Sequence, residues 1–182
     1  MRVIAGSARS LPLVTPNGND TRPTTDRIKE TLFNMLQTQL PDCIFCDFFS
    51  GSGGIGIEAL SRGAKKAYFV DNNKEALSCI KKNIEFTKFT DKSIIINRDV
   101  RDAIYQIHDK CDIIFMDPPY SSGIEFDIMK LLIQSDCIDK DTKIIIEAEK
   151  NREFKEIEEL GYHIYKEKIY KTNKHVFFCM ND

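Results

Sequence analysis

The chain is predicted to form a doubly wound, mostly parallel α/β domain, and three observations carry that prediction. Beyond Pro41, short apolar runs alternate with longer segments of 3.6-residue period, the pattern of strands joined by crossover helices. The first of these strands, Cys43 to Phe49, runs into Ser50-Gly51-Ser52-Gly53-Gly54-Ile55-Gly56, a turn almost without side chains. It leads into a helix whose apolar period starts at Ile55, Ile57, Ala59 and Leu60. The next strand, Ala67-Tyr68-Phe69-Val70, ends in Asp71, twenty positions after Gly51, where such a fold carries the carboxylate that binds a ribose hydroxyl pair.

Taken in order, residues 2–5 and 11–14 are extended runs separated by Gly6-Ser7-Ala8-Arg9-Ser10, which reads as a small hairpin ahead of the main fold. A loop rich in Pro, Asn, Gly and Asp follows. Arg22-Pro23-Thr24-Thr25-Asp26-Arg27 then opens a helix, with Thr or Asp as cap and Ile28, Leu32, Met35, Leu36 and Leu40 on one face. Strands are expected at 43–48, 66–71, 93–97, 111–116, 142–148, 162–169 and 174–180, with helices at about 55–62, 73–86, 99–107, 124–134 and 151–160. Lys171-Thr172-Asn173 is too short for a parallel crossover, so the last two strands form an antiparallel hairpin and the seven-stranded sheet ends antiparallel.

At 182 residues this is material for one domain with a well-buried core. No apolar run approaches bilayer length and the start lacks a signal-like apolar segment, so a soluble, cytoplasmic protein without membrane contact is expected. The six cysteines are expected as reduced, buried thiols. Cys43 and Cys46 stand three apart in an extended strand, on opposite faces, and no second pair lies at zinc-ribbon spacing, so no metal site is assigned. A net charge of −2 excludes nucleic-acid binding through bulk attraction, leaving only a local basic site. Arg2, Arg9, Arg22, Arg27 and Lys29 crowd the first thirty residues and Lys166, Lys168, Lys171 and Lys174 the last twenty; taken singly, each is read as solvated surface.

Two stretches carry chemistry. Gly51, Gly53 and Gly56 satisfy G-x-G-x-x-G, a weak signal alone that an ordinary tight turn also meets. Glycine provides positive φ and close approach, and the helix behind it offers unpaired N–H groups. With Asp71 the loop reads as the cradle of a nucleoside-bearing cofactor. Asp47, just before the glycines, is a poor companion for a dinucleotide pyrophosphate but suits the cationic ammonium of S-adenosylmethionine. An NAD-dependent oxidoreductase is the alternative, yet His108, His163 and His175 lie in no hydride-transfer setting and are read as surface or strand-edge residues. The second stretch is Asp117-Pro118-Pro119-Tyr120, directly after the strand at 111–116. Two prolines fix two φ angles and leave carbonyls free to accept, so the loop is a rigid acceptor set for an exocyclic base amine, with Tyr120 to stack on the base.

Together, Arg2-Val3-Ile4-Ala5-Gly6, Arg22-Pro23-Thr24 with Arg27 and Glu30-Thr31-Leu32-Phe33-Asn34, the run Gly51-Ser52-Gly53 through Gly56-Ile57-Glu58-Ala59-Leu60-Ser61-Arg62-Gly63-Ala64, and Asp117-Pro118-Pro119-Tyr120 resemble a known family. It is the bacterial 16S ribosomal RNA guanine-N2 methyltransferase family of the small subunit, among the amino-directed class I S-adenosylmethionine-dependent methyltransferases. The resemblance implies a Rossmann-like sheet with an antiparallel last strand, residues 1–40 as an RNA-contacting extension and 41–182 as the catalytic core. It implies that Asp47, Gly51 and Gly53 line the methionine part of the cofactor, that Asp71 binds the ribose, and that Asp99 meets the adenine amine with Val100 and Asn72 against the ring. Asp117 to Tyr120 would hold the guanine, and Arg2, Arg9, Arg22, Thr24 and Arg27 the RNA. The implied partner is 16S rRNA in the small subunit or an assembly intermediate, met by a monomer without a metal. Ser10 stands where the family commonly has glycine, and Lys171-Thr172-Asn173-Lys174 replaces a glycine-containing turn. A module that binds RNA without catalysis is the non-enzymatic alternative.

Overall fold

The computed structural model describes residues 1–16, 25–119 and 123–181. Its strands β1 (Ile44–Phe48), β2 (Lys66–Asp71), β3 (Ser93–Asn97), β4 (Ile113–Met116), β5 (Lys143–Glu149), β6 (Tyr162–Ile169) and β7 (Asn173–Met180) make one sheet in the order β3-β2-β1-β4-β5-β7-β6. β1 to β5 run parallel, and β7 lies antiparallel between β5 and β6. The antiparallel strand expected last in the chain is therefore interior to the sheet rather than at its edge. Strand order reverses between β1 and β4, and a ligand crevice in such a sheet opens beyond the carboxyl ends of the strands at that point.

Helices cover both faces: α1 (Asp26–Leu36), α2 (Gly54–Ser61), α3 (Lys74–Thr87), α4 (Val100–Ala103), α5 (Ile124–Ile133) and α6 (Lys155–Glu158). Alternation along each strand divides the core in two. Phe45, Phe69, Phe115, Ile145 and Phe177 face Leu32, Phe33, Ile57, Leu60 and Ile80 of α1, α2 and α3. Cys46, Val70, Met116, Ile146 and Phe178 face Val100, Ile128, Leu132 and Ile157 of α4, α5 and α6. Cys43 and Cys46 fall in opposite halves, as their spacing in an extended run requires. All six cysteines are free and buried.

Four expectations are corrected. The helix expected at 99–107 is a single α turn followed by a 3-10 turn, Ile104–Gln106, and that expected at 151–160 shrinks to four residues. Phe154, just before α6, leaves the helical path to pack edge-on against Phe178, with ring centroids 5.4 Å apart. On α1 the buried stripe is Lys29, Leu32, Phe33 and Leu36, while Ile28 and Met35 flank it half-buried. Lys29, read from sequence as a surface cation, is fully enclosed because Glu58 on α2 meets it at 3.4 Å.

The N-terminal ribbon forms as expected, with Arg2 bridged antiparallel to Pro12 and the Val3 N–H donating to the Leu11 carbonyl at 3.0 Å. Ser10 turns this ribbon at φ 69°, the left-handed region that glycine enters without strain. At the opposite rim from the strand carboxyl ends, β5 is entered through the turn from Asp139 to Thr142, whose hydroxyl donates to the Cys111 carbonyl at 2.8 Å.

Candidate functional site

Asp47, next to last in β1, lies on the face shared with Phe69 and Phe115, its register partners, so its carboxyl is buried under the start of α2. There its Oδ2 accepts the Gly56 N–H at 2.9 Å. Burial pushes its pKa well above the carboxylate range against that bond, and the charges of Asp71 and Asp117 push the same way. Asp47 therefore senses the carboxylates at both neighbouring strand ends. Asp71, last residue of β2, bends its Oδ2 back to the Gly51 N–H at 2.8 Å and its Oδ1 to the Asn73 N–H at 2.9 Å.

The glycines divide their work. Gly53 is the left-handed residue (φ 76°) from which α2 starts, and a methyl group on Gly56 would lie 2.4 Å from the Phe69 ring, so Gly56 lets helix and sheet meet. Gly51 has nothing within 4 Å of the place a Cβ would occupy, so the loop opens onto space beside Asp71. Asn72 is exposed and Val100 is buried in the core. Asp99 caps α4 through the Arg101 N–H at 3.0 Å and pairs with the Arg101 guanidinium at 2.8 and 3.0 Å, which holds its pKa below the usual range.

At the end of β4, Asp117 is half-buried, Pro118 is buried and Pro119 is exposed. Burial first, and then the charge of Glu147, raises the Asp117 pKa well above the carboxylate range. A cavity of about 340 Å³ opens here, lined among others by Pro118, Pro119, Glu147, Glu149 and Arg152. It covers the side of the proline loop. Asp47, Gly51, Asp71 and Asp117 do not line it. Tyr120 lies outside the described residues.

Sequence reading missed the support of this cavity. Glu147 on β5 pairs in register with His175 on β7; its Oε2 meets His175 Nε2 at 3.1 Å and its Oε1 accepts Asn173 Nδ2 at 2.6 Å. Tyr170 closes the set with its hydroxyl 3.2 Å from His175 Nδ1. His175, read as a surface or edge residue, is fully buried at the sheet interior, because β7 has a neighbour on each side. No local signal marked it; the alternation of Glu147 with apolar Ile146 and Ala148 was the available hint.

The N-terminal residues are tied to the same loop. Glu58 on α2 accepts the Ile4 N–H at 2.8 Å and the Ala5 N–H at 3.0 Å, and pairs with Lys29 and Arg62. Burial lowers the Lys29 pKa, against the pull of Glu58. Asn83 of α3 donates to the carbonyls of Val14 and of Ser52 in the glycine loop, both at 2.8 Å. Arg2 pairs with Asp26 at 2.9 Å, and Arg9 and Arg27 are exposed. Arg22 and Thr24 lie outside the described residues.

Among the described residues no helix is long and apolar enough to cross a membrane, and no group of three or more His, Cys, Asp or Glu could hold a metal ion. The family model described as "Conserved hypothetical protein 95" matches residues 1–179. Ribosomal RNA small subunit methyltransferase D of Haemophilus influenzae is 35% identical over 84% of this chain and 80% of its own length. The protein of that name from Escherichia coli K12 is 32% identical over 82% of this chain and 75% of its own. A solved methyltransferase structure from Escherichia coli superposes with a TM-score of 0.85 at 28% identity, over 99% of this chain and 97% of that one. The motifs, the strand order and these matches along almost the whole chain agree, and the chain belongs to the family of the ribosomal RNA small subunit methyltransferase D proteins.

Proposed function

We propose that the protein transfers a methyl group from S-adenosylmethionine to the exocyclic N2 amine of a guanine in small-subunit rRNA. The observation that carries this is the convergence of Asp47, Asp71 and Asp117 on neighbouring strand ends around an open glycine loop, in a chain related to named rRNA methyltransferases. The residues fit the cofactor. Asp71 offers a carboxylate for the ribose hydroxyls, Asp47 a buried negative charge for the ammonium, and Gly51 a surface without side chain for close contact. Asn72, Asp99 and Val100 follow at the ends of β2 and β3 for the adenine. When bound, S-adenosylmethionine supplies an electrophilic methyl group on a positively charged sulfur.

The chain's own contribution is placement. The Asp117 carboxylate and the Pro118 carbonyl accept the two amine hydrogens, drawing nitrogen lone-pair density away from the ring, while Tyr120 stacks on the base. Asp117 takes the proton that the nitrogen sheds on alkylation. That role needs the ionised carboxylate, which a neighbouring cation favours. The base must leave its stack to reach this site, so a looped or bulged guanine is the substrate. Arg2 and Arg9 on the ribbon and Arg27 at the start of α1, together with Arg22 and Thr24, contact the surrounding RNA in the cytoplasm, the protein acting as a monomer. The test is incubation with labelled S-adenosylmethionine and unmodified small subunits, followed by mass spectrometry of rRNA nucleosides. N2-methylguanosine is expected; binding of cofactor without label transfer, or a label on another atom, overturns the reading.

A further inference from the structure

Asp117 and Glu147 occupy equivalent places on adjacent strands. β4 and β5 pair in parallel with Met116 opposite Ile146, so the next positions in register are Asp117 and Glu147, whose side chains leave the sheet on the same face. Glu147 also lines the cavity beside Pro118 and Pro119. The site thus presents a second carboxylate, one strand away from the first.

Glu147 is held in a way that suits recognition rather than mere burial. Two of its contacts come from β7, Asn173 at 2.6 Å and His175 at 3.1 Å, and His175 is itself braced by Tyr170 and by the Phe115 ring, whose centroid lies 5.8 Å away. These two β7 groups hold the rotamer.

Base chemistry selects the ligand. On guanine the N2 amine stands next to the ring N1–H, so both groups are donors. On adenine and cytosine the exocyclic amine stands next to a ring nitrogen that accepts. A pair of carboxylates on neighbouring strands complements two adjacent donors and repels an adjacent acceptor. We propose that Glu147 is the specificity-determining residue of the base site, its carboxylate accepting guanine N1–H while Asp117 and Pro118 take the N2 amine. This rests on the guanine-N2 reading above and adds the group that enforces it.

The test uses small subunits reconstituted on 16S rRNA in which the guanine labelled by the wild-type protein is kept or replaced by 2-aminopurine. That base retains the amine but has an acceptor at N1. Wild-type initial rates with labelled S-adenosylmethionine should favour guanine by about 10- to 100-fold, the discrimination expected when a buried polar group loses its partner. Glu147→Gln, whose amide can donate to an acceptor, should lower the guanine rate while sparing or raising the 2-aminopurine rate, so that the ratio falls at least about tenfold. Cofactor affinity should stay within a few fold. A purely structural role lowers both rates together; an unchanged ratio in Glu147→Gln therefore overturns the inference. Equal wild-type rates on the two bases overturn it without any variant. Either result leaves guanine-N2 transfer standing, whereas a wild-type label on another base or atom removes both.

Discussion

At the scale of single residues, two acids of the site, Asp117 and Asp47, have opposite parts to play. Asp117 faces the acceptor base, so Asp117→Ala should cut methyl transfer by about 10²- to 10⁴-fold, the range for loss of a placed proton acceptor. Cofactor affinity by calorimetry should remain within a few fold, and undiminished turnover would refute the role. Asp47 is buried, and among the described residues the Gly56 N–H is what favours its charge. An acid whose folded pKa is raised contributes stability fully below its unfolded value, 3.8 here, and loses it as pH climbs through the folded value. The unliganded protein therefore carries a cost at neutral pH that Asp47→Asn removes, since an amide oxygen can still accept from Gly56. Its melting temperature should exceed wild type at pH 8 by roughly 2–4 °C per kcal/mol gained, with the gap closing toward pH 4, while cofactor binding weakens. A lower melting point at pH 8 would contradict this. Asp47, Asp71 and Asp117 were legible in the sequence because each is marked locally, by glycines, by spacing or by two prolines. Glu147 and His175 were not, because their meaning comes from a cross-strand pairing between β5 and β7.

At the scale of elements, the N-terminal ribbon is fastened to α2 at Ser61, which takes the Ser7 and Ala8 N–H groups, and at the buried carboxylate of Glu58. Glu58 receives two ribbon N–H groups and two cations, Lys29 from α1 and Arg62 from its own helix. Glu58→Ala leaves the Lys29 ammonium enclosed without its acid, which should cost about 3–5 kcal/mol in chemical denaturation. Hydrogen exchange at Ile4 and Ala5 should quicken more than at the sheet. Equal quickening across both would remove Glu58 as a fastener. α1 shows what periodicity misses. Its apolar residues were visible, but counting only apolar side chains rotated the buried face toward Ile28 and Met35, because a lysine enters a core only when an acid waits there. That acid lies on another element, beyond the reach of any local window.

At the scale of the molecule, the alternation of strands and helices and the antiparallel hairpin could be read directly, whereas the insertion of β7 between β5 and β6 could not, since hairpin logic fixes a pair and not its neighbours. The net charge of −2 means that RNA affinity rests on a few cations. Replacing Arg9 and Arg27 together by Ala should flatten the slope of log affinity against log salt by about 1.4 for single-stranded contacts, two phosphates at ~0.7 each. An unchanged slope returns both to ordinary surface. The six enclosed thiols have a practical corollary. In the native protein a maleimide dye should find almost no target, and burial pushes the Cys43 thiol up to about 12, further from its reactive thiolate form. Lys140→Cys, on the exposed turn at the rim away from the carboxyl ends of the strands, should then accept a single fluorophore per chain. Intact-mass analysis showing one adduct when native and seven after denaturation would give a reporter of rRNA docking that leaves the reacting groups untouched.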